Sequence, residues 1–128
     1  MTRAWCWLAL AITCACKPSE PRTGPGVELE QTAKALWTAC NSGSAASCLE
    51  LDRVLDESRA TGSAGVTSVQ LRSSYNSDRL VRRACDAGDA HSCYEVAKKQ
   101  PSRQRQSYLE RACSLGDVTA CGEVERVR

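Results

Sequence analysis

From residue 28 onward, apolar side chains recur three and four positions apart, the spacing that puts them on one face of an α-helix. Leu36, Ala39 and Cys40 stand at i, i+3 and i+4. The same stripe returns at Val81, Ala84 and Cys85, and again at Leu109, Ala112 and Cys113. Taken with the glycines and cap residues around it, this pattern predicts helices over 28–41, 45–60, 69–86, 90–99, 102–114 and 118–126. TGSAGVTS, Thr61 to Ser68, predicts a loop, and Asn76 in VQLRSSYNS marks a break within the third helix. The expected fold class is all-α.

The three stripes belong to a longer repeat. ACNSGSAASC (Ala39 to Cys48), ACDAGDAHSC (Ala84 to Cys93) and ACSLGDVTAC (Ala112 to Cys121) share A-C-x-x-G-[SD]-x-x-[SA]-C-x-E, which ends on Glu50, Glu95 and Glu123. A glycine three residues after the first Cys is the left-handed residue that closes a helix C-terminus. Ser44, Asp89 or Asp117 follows as the N-cap of a second helix. In the first two units Ser47 with Glu50, and Ser92 with Glu95, offer a capping box as an alternative start. Each unit therefore reads as two helices and a tight turn, with one Cys on the last turn of the first helix and one on the first turn of the second. Antiparallel helices packed through Ala approach closely enough for the Cα separation of about 5.5 Å that a disulfide requires.

Upstream the pattern changes. Residues 1–16, MTRAWCWLALAITCAC, carry one positive side chain, Arg3, followed by an uncharged run. That run is shorter than the roughly 20 residues of a membrane-spanning helix and fits the apolar core of an export signal. Residues 17–27 hold three of the four Pro and read as a linker. The repeat domain then occupies 28–128, with units near 28–60, 69–99 and 102–126. Because the apolar run ends on Cys, the leader resembles a bacterial lipoprotein signal, with Cys16 as the lipidated residue and Cys14 as the alternative. Cleavage before Cys16 removes Cys6 and Cys14, and its lipidation leaves six of the nine Cys, all within the repeat.

With 17 Lys and Arg against 15 Asp and Glu, charge points to neither nucleic acid nor a membrane surface as partner of the folded part. There is no Phe, and two of three Trp lie in the leader, so the core is small and in need of staples. Zinc is the competing use of paired Cys. It favours two to four residues between ligands, whereas each pair here encloses seven, and His91 is the one His. Neither a metal nor a cofactor is expected. His91 is expected to be an exposed turn residue. The basic stretch Arg79, Arg82, Arg83, Lys98, Lys99, Arg103, Arg105 and Arg111 reads as a solvated face. Trp37, Tyr75, Tyr94 and Tyr108 are candidates for a recognition stripe, with Tyr94 and Tyr108 packing between helices.

VRRACDAGDAHSCYEVA (Val81 to Ala97) and YLERACSLGDVTACGEV (Tyr108 to Val124) resemble the Sel-one-like repeat, a relative of the tetratricopeptide repeat. The likeness is greatest to the secreted cysteine-rich bacterial proteins built from it. It implies an α/α solenoid of about three helical hairpins, each closed by its own Cys pair: Cys40–Cys48, Cys85–Cys93 and Cys113–Cys121. A solenoid repeat has one period. Here the first-Cys positions are 40, 85 and 113, so irregular curvature is expected. The resemblance also raises a penicillin-binding or weakly β-lactam-hydrolysing activity. The sequence holds no S-x-x-K, K-T-G, S-D-N or G-x-S-x-G to carry it, and no catalytic residue is assigned. The expected function is a protein-binding or scaffolding module of the cell envelope, anchored by lipid and engaging a protein or peptide on its concave face.

Overall fold

A computed structural model describes residues 24–127. The expected signal at 1–16, with Cys14 and Cys16, and most of the linker lie outside the described residues. Among the described residues there are seven helices and no strand: α1 (Pro25–Asn41), α2 (Ala45–Thr61), α3 (Val66–Ser74), α4 (Ser77–Asp86), α5 (Ala90–Lys98), α6 (Ser102–Ser114) and α7 (Val118–Val127).

The repeated decapeptide builds one turn three times over. Gly43, Gly88 and Gly116 adopt φ of 100°, 97° and 103°, a region in which a side chain would be strained. Their amides donate to the first-Cys carbonyls of Cys40, Cys85 and Cys113 at 2.9–3.1 Å. The next amides, of Ser44, Asp89 and Asp117, reach back to the carbonyls of Ala39, Ala84 and Ala112. This pair of bonds is the Schellman closure of α1, α4 and α6. The same three polar residues then cap α2, α5 and α7: Ser44 accepts from the Ser47 amide, Asp89 from Ser92 and Asp117 from Ala120. One residue thus ends a helix with its amide and begins the next with its side chain. The capping-box alternative is not used, because Ser47 and Ser92 already stand inside the first turn as donors.

The turn brings the two Cys of each unit together. Disulfides join Cys40 to Cys48, Cys85 to Cys93 and Cys113 to Cys121, with Cα separations of 4.7, 4.6 and 4.5 Å. The first two bridges are buried in the core. The third is half exposed.

The remaining elements differ from expectation in two places. α1 begins at Pro25, inside the expected linker, because a proline at the first helical position loses no hydrogen bond and has its φ already set. The break expected at Asn76 is present and divides 69–86 between two helices. Tyr75 ends α3, and Asn76 starts α4 by accepting from the Asp78 amide. The expected loop at 61–68 contracts to the four residues between Gly62 and Gly65, both at positive φ. α3 is therefore an extra helix that takes up the longer first spacing of the repeat. It packs on α1 and α2, where its Arg72 lies nearly buried and pairs with Asp52 and Asp56 of α2.

Apolar burial divides into two clusters. Leu29, Ala33, Leu51, Leu55, Leu80 and Ala84 form the first with Cys40 and Cys48. Cys85, Cys93, Val96, Ala97, Leu109, Ala112, Ala120 and Val124 form the second. The boundary runs through α4, whose Leu80 and Ala84 face one cluster while Cys85 faces the other. α4 packs on both α2 and α5, and α5 packs on α6. Fully buried Ala84, Ala97 and Ala112 let these backbones approach closely.

Candidate binding surface

α4 places its apolar residues inward and leaves Arg79, Arg82 and Arg83 exposed on the opposite side. None of the three forms an ion pair among the described residues, although the acids at either end of the helix do. Asp78 is held by Lys99, and Asp86 lies 3.5 Å from Arg111. Two of the arginines rest on an aromatic base. The guanidinium carbons of Arg79 and Arg83 lie 5.8 and 5.6 Å from the centre of the Trp37 ring. Trp37 is half buried against the first core cluster and meets Tyr75 at a centroid distance of 5.3 Å. The ring quadrupole attracts both guanidinium groups and restricts their motion.

The other candidates group elsewhere. The Tyr94 hydroxyl donates to Glu123 at 2.8 Å, and Arg105 donates to the other carboxylate oxygen of Glu123 at 2.7 Å. The Arg105 and Tyr94 hydrogen bonds hold the Glu123 carboxyl below its ordinary range, and the same bond to Glu123 pushes the Tyr94 phenol up. Lys98 bonds to Glu95 and lies over the Tyr94 ring, 5.4 Å from its centre. The charge of that lysine is reinforced first by its bond to Glu95. Tyr108 packs on the second cluster. The four aromatics therefore make two groups at two cores, Trp37 with Tyr75 and Tyr94 with Tyr108, not one continuous stripe.

His91 is 73% exposed, with its nitrogens 3.7 Å from Glu95 and 3.6 Å from Asp117. Among the described residues no group of three or more His, Cys, Asp or Glu is arranged to hold a metal ion. A cleft between α4 and α5, lined by Asp78, Val81, Arg82, Val96, Lys99 and Gln100 among others, contains no Ser, Cys or His to act as a nucleophile.

Sequence reasoning missed how the last identity of the repeat, its Glu, is used. Glu50 bonds to Arg53 on its own helix, which lowers the Glu50 pKa. Glu95 bonds to Lys98, also on its own helix. Glu123 turns instead to α5 and α6. A basic residue three positions after Glu50 and Glu95, at Arg53 and Lys98, was the visible signal for their pairs; the same spacing at Arg126 makes no such bond to Glu123. The stacking of Arg79 and Arg83 on Trp37 had no such signal, because the partners are more than forty positions apart. No protein-family model, curated protein or solved structure matches this chain.

Proposed function

We propose that this chain is an exported module of the bacterial cell envelope, held to a membrane by a lipid on Cys16, that binds or scaffolds another protein. In this reading the helix pairs α1–α2, α4–α5 and α6–α7 stack as a short Sel-one-like solenoid, with α3 inserted after the first. The observation that carries the reading is the set of three local disulfides, each formed within one copy of the same decapeptide. Disulfides of this kind form and persist in oxidising compartments and are rare in the cytosol. Part-buried Asp52 of α2 accepts from Arg72 of α3 and Ser77 of α4, and no buried side-chain polar atom lacks a partner among the described residues.

Metabolic labelling with a palmitate analogue tests the anchor. The natural chain is expected to take up label and sediment with membranes, and Cys16→Ser is expected to lose both properties. Persistent labelling of that variant would move the anchor to Cys14, and an unlabelled natural chain would end the lipoprotein reading. The same preparation, offered a chromogenic cephalosporin, is expected to show neither turnover nor a covalent adduct. Steady hydrolysis would replace the binding module with the hydrolase that the resemblance raises.

A further inference from the structure

We propose that the outer face of α4, with Trp37 beneath it, docks a short extended acidic segment of a partner protein. The proposal rests on the binding-module reading and gives that reading a surface and a ligand chemistry. Arg79 and Arg83 are one helical turn apart, a rise of about 6 Å. In an extended peptide, side chains at alternate positions point the same way and stand roughly 6.6 Å apart. Two carboxylates in a Glu-x-Glu arrangement therefore match the spacing of the two arginine positions along α4. Arg82, exposed beside them, is placed for a third.

Three observations favour this occupant. The three arginines form no ion pair among the described residues, whereas Asp78 and Asp86 at the ends of the same helix are tied to Lys99 and Arg111. Trp37 already holds Arg79 and Arg83, so less side-chain freedom is lost when a carboxylate arrives. The patch is also bounded. Whole-chain charge is only +2, and acids stand at both ends of the helix. A nucleic acid or an anionic membrane would press its continuous charge against those acids, while a short segment fits between them.

The test measures fluorescence anisotropy of a labelled alternating Glu-Ser octapeptide with the purified full-length chain in detergent. Saturable binding that weakens with added salt is expected. Arg79→Glu with Arg83→Glu is expected to weaken it at least roughly tenfold, since two charge-assisted contacts become repulsive. Arg59→Glu with Arg103→Glu changes net charge by the same amount on other helices and is expected to alter binding less than about twofold. Inorganic phosphate and phosphatidylglycerol vesicles are run as competitors.

Equal losses in the two double variants would overturn the proposal in favour of diffuse attraction. Competition by phosphate at the same concentration as peptide would reduce the face to a simple anion site, and vesicle binding without peptide binding would make it a membrane contact. Failure to bind the peptide, by a chain with three intact bridges and its lipid, sinks the docking surface alone. A reduced and unprocessed chain sinks the module reading as well.

Discussion

Replacing Cys85 and Cys93 together by alanine is expected to destabilise the fold by about 3 kcal/mol. Closing a loop of eight to nine residues removes unfolded-state entropy worth roughly 2.5 kcal/mol at room temperature. The remainder comes from lost packing, because both sulfurs are fully buried in the second cluster. In a small domain whose total stability is on the order of 5–10 kcal/mol, that is a large share. Urea titration followed by circular dichroism gives the number, and a change below about 1 kcal/mol would mean that the turn and its caps hold the pair of helices unaided. The three bridges are not equivalent in access. Cys40, Cys48, Cys85 and Cys93 are buried, whereas Cys113 and Cys121 are half exposed, and α7 has no later described helix to cover it. Thiol–disulfide exchange requires a reductant to reach the sulfur. Limited reduction followed by alkylation and peptide mapping should therefore mark Cys113 and Cys121 first. Earlier opening of Cys40–Cys48 would contradict this order.

The second large effect belongs to Leu80→Ala. Leu80 is fully buried among Leu51, Leu55 and Ala84, and it sits on the one helix that faces both clusters. Truncating a buried leucine costs about 3 kcal/mol, made up of lost transfer energy and the cavity left behind. For a domain of this size, that lowers Tm by more than about 10 °C. Because α4 packs on α2 and on α5, amide exchange is expected to rise on both sides of it together. Val118→Ala serves as the comparison: this side chain is 84% exposed, and its loss should stay within about 0.5 kcal/mol. A Leu80→Ala protein within 1 kcal/mol of the natural chain would show that the two clusters fold independently of α4.

The repeat was legible because its physics is local. Gly43, Gly88 and Gly116 need a left-handed backbone, the next residue needs a side-chain acceptor, and the two Cys stand eight positions apart across that turn. All of these requirements are met within ten residues, so periodicity and cap chemistry were enough to place α2, α5, α6 and α7 to within one or two residues and to anticipate the three bridges. The break at Asn76 is a local signal too and accounts for where α4 starts, whereas Pro25, which starts α1, reads in sequence as part of the linker.

What only the tertiary structure decided are the relations between units. That α3 is a separate helix lying on α1 and α2 depends on Arg72 reaching Asp52 and Asp56, twenty and sixteen positions away. The division of α4 between two cores depends on which helices flank it. The partners of Trp37 depend on the same placement, for the ring lies on α1 and its arginines on α4. A charge run that reads as ordinary solvated surface becomes a patch unpaired among the described residues only when Lys99 and Arg111 arrive from α5's C-terminal cap and α6 to neutralise the flanking acids. Helix periodicity specifies which face of a helix is apolar. It carries no information about the distant side chain that meets the polar face, because that contact is set by the packing of whole helices rather than by spacing along the chain.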